Sequence, residues 1–140
     1  MMKGDDIKRL IPQRDPFIMV HEFAQGNDDE TGCTARAVQP DNYFVLPDST
    51  LAETGLMEHI AQSCSALAGW KALDRQAERP PVGLIGEVKR FECLRRPKVG
   101  ETVRTTVHFG FSFGGATLAT GECQVDGETI ATAQLKIFIQ

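Results

Sequence analysis

The stretch LAETGLMEHIAQSCSALAGWKAL, residues 51–73, decides the fold. Its apolar residues recur at spacings of three and four, the period of an α-helix with one broad apolar face; they are Leu56, Met57, Ile60, Ala61, Cys64, Leu67 and Ala68. Just before it, Asp48, Ser49 and Thr50 are suitable N-cap residues, and Glu53 suits the positive end of the helix dipole. The pattern predicts one helix of about five or six turns.

Outward from this helix the period changes to two, which is typical of half-buried β-strands. The strands predicted are residues 82–94, 103–111, 116–125 and 129–139 after the helix, and residues 17–23 and 31–38 before it. Pairs 114–115 and 126–127 contain the glycine that tight hairpin turns need, and Pro80-Pro81 ends the helical region. With a short helix at the start, this order predicts an α+β domain in which an antiparallel sheet wraps around one long helix.

Composition fits a single globular domain spanning residues 1–140, with 41% hydrophobic and 24% charged residues. A net charge of −4 argues against a nucleic-acid binder with a globally basic surface. Because the sequence contains neither a membrane-spanning apolar run nor a secretory signal pattern, we expect a cytoplasmic protein. The four cysteines show no CxxC spacing and the three histidines are scattered, so we expect reduced thiols and no metal site.

Three segments resemble sequence motifs of one known protein family, and they occur in the same order as in that family. Residues 10–20, LIPQRDPFIMV, resemble "LPHRYPFLLVD"; residues 55–62, GLMEHIAQ, resemble "GVLxxEAxAQ"; and residues 89–101, KRFECLRRPKVGE, resemble "KFRRPVxPGD". These are motifs of the hotdog-fold β-hydroxyacyl-acyl carrier protein dehydratases of the FabZ type. The resemblance implies a hotdog fold and a lyase that converts a 3-hydroxyacyl thioester into a trans-2-enoyl thioester in fatty-acid or polyene-type biosynthesis. It implies no cofactor, since the substrate is carried on the phosphopantetheine of acyl carrier protein or coenzyme A.

In that family a carboxylate on the helix and a histidine in an HFPG segment, contributed by the other subunit, form the active site. Glu58 matches the carboxylate. The histidine has no counterpart, because residues 42–48, NYFVLPD, contain none, and Gln13 replaces the histidine of the opening motif. This departure resembles a divergent branch, such as the FabZ-like dehydratases of polyene pigment pathways. Asn42 and Tyr43 occupy the neighbourhood of the missing histidine, where either could orient a water or the substrate hydroxyl.

Dehydration requires a base for the C2 proton, an acid for the departing C3 hydroxyl, and donors for the thioester oxygen. Glu58 could supply one proton transfer, and Gln62, one turn later, could hold its carboxyl. Amides near Thr54 and Gly55 at the helix start could polarise the thioester, with Gly55 allowing close approach. The alternatives are that Glu58 lies on a solvated stripe and that Gly55 only serves packing.

The histidines have simpler interpretations. His59 lies about 100° around the helix from Glu58, so the two cannot face one point within a subunit. We expect a structural, hydrogen-bonded role for His59, although in a dimer it could meet the partner's site. For His21 and His108 we expect surface roles.

Although the net charge of the chain is negative, one stretch of the sequence is basic. It comprises Lys89, Arg90, Arg95, Arg96 and Lys98. It could bind an acidic acyl carrier protein and the phosphopantetheine phosphate, or it could protect a sheet edge against pairing.

The leading prediction is a dehydratase-like homodimer, or a dimer of dimers, with an acyl tunnel between copies and Glu58 as its acid/base residue. A hotdog acyl thioesterase, and a non-catalytic acyl-binding subunit that forms a heterodimer with an active dehydratase, remain alternatives.

Overall fold

The computed structural model describes residues 1–75 and 83–139 of the chain. In chain order the elements are β1 (Met2–Lys3), a 3₁₀ helix (Gly4–Arg9), β2 (Glu22–Gln25), β3 (Thr31–Ala37), α1 (Glu53–Asp74), β4 (Gly83–Cys93), β5 (Thr102–Phe113), β6 (Ala116–Val125) and β7 (Glu128–Ile139). The strands form one antiparallel sheet in the order β1-β2-β3-β5-β6-β7-β4. This confirms the predicted α+β arrangement, and it leaves β4 at one edge of the sheet.

Helix α1 packs into the sheet because small residues let the backbones approach. A Cβ atom added to Gly121 on β6 would lie 2.8 Å from the Cγ2 atom of Ile60 on the helix. On another side of the helix, a Cβ atom at Gly69 would lie 2.0 Å from the carbonyl oxygen of Leu10. The helix is therefore held between the sheet and the N-terminal segment, and its apolar residues form the centre of the core.

Both predicted hairpin turns are confirmed. Gly114 and Gly115 join β5 to β6 with φ values of 61° and 82°, and Asp126 and Gly127 join β6 to β7 with φ values of 50° and 80°. Positive φ at both turn positions matches the right-handed twist of the paired strands.

The predicted helix start is wrong. Helix α1 begins at Glu53 after Ala52, and no side chain caps it. The preceding residues are held extended because the Leu51 amide donates to the Pro97 carbonyl at 2.8 Å and the Ala52 amide donates to the Phe44 carbonyl at 2.9 Å. Asp48 accepts instead from the Thr50 hydroxyl and amide.

The strand predicted at residues 17–23 is also wrong, since β2 covers Glu22–Gln25 and the residues before it form a loop against the helix. The helix end predicted at Pro80-Pro81 lies outside the described residues. In the ranges 1–75 and 83–139, no helix is long and apolar enough to cross a membrane.

Candidate active site

Glu58 lies half-buried on α1, and one of its oxygens is held in place. Its Oε1 accepts a hydrogen bond of 2.8 Å from Nε2 of Gln62, one helical turn later. This is the hydrogen bond expected from the spacing of the two residues. The other carboxylate oxygen, Oε2, is the one that the Gln62 contact leaves available for chemistry.

Gln62 is fully buried, and its side-chain amide makes two hydrogen bonds to the backbone of the N-terminal loop. Its Nε2 also donates to the Phe17 carbonyl at 2.7 Å, and its Oε1 accepts from the Met19 amide at 2.6 Å. These two bonds explain why residues 17–19 are not a strand, because their backbone groups pair with a helix side chain instead of a neighbouring strand. They also fix the orientation of the amide that holds Glu58.

His59 is completely buried, on the side of the helix that faces the sheet. Its Nδ1 lies 2.6 Å from the Met19 carbonyl, to which it donates, and its Nε2 lies 2.7 Å from the Thr105 hydroxyl. Burial lowers the pKa of His59 to about 4, although the hydrogen bond to Met19 opposes this shift. The ring is therefore neutral and structural. The alternative in which His59 reaches a partner's site is wrong, because the ring is enclosed within its own subunit.

The helix start differs from the expected oxyanion site. The Gly55 amide donates to the Ala52 carbonyl at 2.9 Å, so it is already paired. A Cβ atom at Gly55 would lie 2.6 Å from the Cβ atom of Phe44, which fills the space expected to admit substrate. Gly55 thus serves packing, and the exposed Thr54 remains the candidate that supplies an amide in the first turn.

The loop that replaces the HFPG segment is held by its own side chains. Asn42 Oδ1 accepts from the Phe44 amide at 2.9 Å, and Asn42 Nδ2 contacts Met19 Sδ at 3.3 Å. Tyr43 is 67% exposed and packs edge-on against Phe17, with ring centroids 5.3 Å apart. Asn42 therefore shapes the loop, whereas the Tyr43 hydroxyl is free to meet another molecule on the side of the chain that carries Phe17.

For His21 the sequence predicted a surface role, and the structure adds a hydrogen bond to a side chain on β3. His21 is partly buried, and its Nε2 accepts a hydrogen bond from Nη1 of Arg36, a buried cation on β3. Burial, and secondly the Arg36 charge, lower the pKa of His21. Arg36 was not predicted from the sequence. It follows Thr34, whose hydroxyl contacts Ser63 of α1, by two residues, so both side chains lie on the helix side of β3.

As predicted, His108 lies on the exposed side of β5. Its Nδ1 is 3.0 Å from the Thr31 hydroxyl. Cys64 and Cys123 are buried thiols, whereas Cys33 is exposed and Cys93 half-buried, and all four are free. Among the side chains described, no three of the His, Cys, Asp or Glu type come together as a metal site.

Two of the five predicted cations are engaged in ion pairs. Arg95 donates to both carboxylate oxygens of Glu101, at 2.9 and 3.1 Å, and these bonds raise the pKa of Arg95 and lower that of Glu101. Arg96 lies 3.1 Å from Asp48 and 3.4 Å from Glu53, so it ties the loop to the helix start. The other three cations of the predicted basic stretch are exposed, with Lys89 and Arg90 on the edge strand and Lys98 in the following loop.

Comparison with known proteins fits this geometry. The FabZ 3-hydroxyacyl-[acyl-carrier-protein] dehydratase of Clostridium botulinum strain Loch Maree is 20% identical over 138 residues, which cover 96% of this chain and 94% of the relative. A chain of the solved "Dehydratase Heterocomplex ApeI:P from Xenorhabdus doucetiae" superposes with a TM-score of 0.87 at 16% identity, covering 100% of this chain and 92% of that one.

The PaaI protein of the Escherichia coli phenylacetic acid degradation operon is more distant, with a TM-score of 0.67 at 11% identity over 84% of this chain and 81% of that one. These superpositions confirm the hotdog fold. The model of the ApeP-like family, described as ApeP dehydratase, matches residues 5–140, which is nearly the whole chain. The protein therefore belongs to the ApeP-like dehydratases, a divergent FabZ-like branch of the hotdog dehydratases.

Proposed function

We propose that this chain is the carboxylate-bearing subunit of a 3-hydroxyacyl thioester dehydratase and that it works together with a related dehydratase subunit. The observation that carries the proposal is the carboxylate of Glu58, half-buried on α1 and held by an amide whose own orientation is fixed by the backbone of residues 17–19. Such a carboxylate is positioned before substrate binds, which proton transfer in a transition state requires.

The reaction breaks the C2–H and C3–O bonds and forms a C2=C3 double bond and water. One group must accept the C2 proton, and a second must deliver a proton to the departing hydroxyl. Oε2 of Glu58 supplies one of these transfers. The reaction itself calls for no metal or redox group, and the amide of Thr54 is the candidate donor to the thioester oxygen.

The second proton-transfer group comes from outside this chain. His59 is enclosed, His21 accepts from Arg36, and His108 lies on the outer face of the sheet. A partner subunit with a histidine before its helix would complete the pair. The heterocomplex described for the Xenorhabdus doucetiae protein supports such an assembly.

The sheet edge offers a surface for this partner. Within the described part of the chain, β4 pairs with β7 on one side only, so its other side presents backbone donors and acceptors along 11 residues. Lys89, Arg90 and Lys98 would then lie beside the interface, where they would attract an acidic acyl carrier protein.

A non-catalytic acyl-binding role is the second candidate, and the absence of the HFPG histidine favours it. Both candidates predict a complex, but they differ in whether Glu58 matters. The test compares the chain alone, a histidine-bearing hotdog dehydratase of the same organism alone, and the two mixed, with a 3-hydroxyacyl thioester as substrate. Enoyl product and free thiol are measured together.

We expect the mixture to form enoyl product faster than either subunit alone. Glu58→Gln should lower kcat of the mixture by about 100-fold or more, whereas the matched control Glu53→Gln, an exposed carboxylate on the same helix, should leave it unchanged. Full activity of the Glu58→Gln mixture would assign the chain a binding role. Release of free thiol without enoyl product would identify a thioesterase instead.

A further inference from the structure

Arg36 on β3 is a buried cation, and among the described residues it takes part in no ion pair. Its side chain is 8% exposed; Nη1 donates to Nε2 of His21, and the buried Nε has no partner in the described part of the chain. Burial lowers the pKa of Arg36, and the charges of Asp15 and Asp41 oppose this shift. Burying a charge without an ion pair costs stability, so this position favours a role other than stabilising the fold.

The segment of residues 17–21 connects Arg36 to the candidate active site. Within it, one backbone amide and one carbonyl bond to the side chain of Gln62, and another carbonyl accepts from His59. The last residue of the segment is held by Arg36. The same five residues therefore fix the amide that holds Glu58 and end on a contact with a buried cation.

His21 is the acceptor in that contact, and charged groups surround it. It comes directly before β2, and its amide donates to the carbonyl of the residue before Arg36 at 2.9 Å. Burial, and secondly the Arg36 charge, lower the pKa of His21. Asp15 and Glu22 oppose this shift, and Lys3, opposite Glu22 on β1, is exposed. At neutral pH the imidazole is therefore neutral, and its Nε2 is available as an acceptor.

The Arg36 charge also acts on His59, the second imidazole that holds this segment. Burial is the main cause of the lowered pKa of His59, the Arg36 charge adds to it, and the hydrogen bond to Met19 opposes it. One cation thus lies close to two imidazoles, and protonation of either would bring a second positive charge beside it.

We propose that Arg36 and His21 are positioning residues for Glu58, because their contact holds residues 17–21 in the arrangement from which Gln62 orients the carboxylate. The inference rests on the proposed function and deepens it, since it adds two residues that act through this segment and not on the substrate. A neutral His21 accepts from Arg36, whereas a protonated one offers no lone pair and repels the guanidinium. Acid therefore loosens the segment and with it the support of Glu58.

The pH profile of the active complex tests this role. His21→Gln keeps an acceptor for Arg36 in an amide oxygen but does not titrate. The ratio of its kcat to that of the unaltered complex cancels Glu58 and every other group that titrates in both. Between pH 7.5 and pH 5 this ratio should rise by about threefold or more, because only the unaltered chain loses the contact.

The matched control is His108→Gln, on the exposed side of β5, for which the same ratio should not change with pH. A ratio for His21→Gln that is equally constant overturns the proposal.

Arg36 is tested by a pair of variants. Arg36→Met removes the donor and the charge and should lower kcat at pH 7.5 by about tenfold, whereas Arg36→Lys keeps a cation with donors and should lose less. Removing a buried charge that has no ion pair need not destabilise a fold, so urea unfolding of both variants separates positioning from stability. Full kcat in Arg36→Met, or equal losses in the two folded variants, contradicts the role of Arg36.

Hydrogen exchange of the full chain tests the contact without substrate. The Met19 amide donates to Gln62, and the Leu51 amide, outside the segment, donates to the Pro97 carbonyl. From pH 7 to pH 5, protection of the Met19 amide should fall by about threefold or more relative to that of Leu51, and His21→Gln should abolish this fall. A constant ratio in the unaltered chain, or the same fall in the variant, refutes the proposal.

Failure of the proposed function is recognised separately, because the unaltered complex would then form no enoyl product at any pH. Hydrogen exchange then decides whether Arg36 and His21 hold the segment. A fall in Met19 protection that His21→Gln abolishes supports this, and unchanged protection overturns it.

Discussion

Acid will destabilise this protein through His59. In the unfolded chain this imidazole has its ordinary pKa of 6.5, and in the folded protein burial lowers the pKa to about 4. Because the unfolded state binds the proton more tightly, stability is lost as the pH falls from 6.5 towards 4. At 1.36 kcal/mol per pKa unit, the loss from this group alone is about 0.2 kcal/mol at pH 7, about 2 kcal/mol at pH 5 and about 3 kcal/mol at pH 4.

Urea unfolding of the unaltered protein and of His59→Asn at pH 7, 5 and 4 measures this contribution. The asparagine amide still donates towards the Met19 carbonyl but does not titrate, and the carboxylates that titrate in both proteins cancel in the comparison. At pH 7 the variant should be less stable by about 1–2 kcal/mol, since the Thr105 contact is lost. By pH 5 that difference should shrink by about 2 kcal/mol. A difference that stays constant across this range would refute the assignment of His59 as a buried neutral group.

Further predictions concern single contacts. Gln62→Leu should lower the free energy of unfolding by about 2–4 kcal/mol, because it leaves the buried Met19 amide and the partly buried Phe17 carbonyl unpaired; chemical denaturation measures this. Gly69→Ala should cost about 1–3 kcal/mol or more, since the added methyl would lie 2.0 Å from the Leu10 carbonyl oxygen; a thermal midpoint that does not fall would contradict this packing. Arg96→Ala should cost less than about 1 kcal/mol, and less at high salt, because both of its ion pairs are at the surface; urea unfolding at two salt concentrations tests it.

The spacing of apolar residues in the sequence correctly predicted the strands that have one buried side and one exposed side. The strands β5, β6 and β7 alternate cleanly because one side of each packs on the helix and the other meets solvent. Helix α1 is buried around most of its circumference, and its buried residues include the polar His59, Gln62 and Ser63, which the apolar spacing alone did not predict. The loop before β2 was wrongly predicted as a strand because residues 17–20 are apolar. These residues pack against the helix, and the side chains of Gln62 and His59 form hydrogen bonds with their backbone.

The candidate site was predictable only in part, because spacing reports neighbours on one helix and not partners across the fold. The bond from Gln62 to Glu58 follows from a separation of four residues. The bond between Arg36 on β3 and His21, just before β2, connects residues fifteen apart in sequence, and no spacing within a single element indicates it. The pairing of Arg95 with Glu101 likewise depends on how a loop turns back, so a run of cations in sequence overstated the free positive charge.

We propose that Glu58 and a histidine of a partner subunit form a single active site. The most direct test is a structure of the complex with the related dehydratase subunit, in which the surroundings of the Glu58 carboxyl are measured. We expect an imidazole of the partner on the opposite side of a substrate-sized gap, so that each group lies about 3 Å from the atoms it would serve. A partner that presents no imidazole there, or an interface that leaves Glu58 facing solvent, would contradict the account.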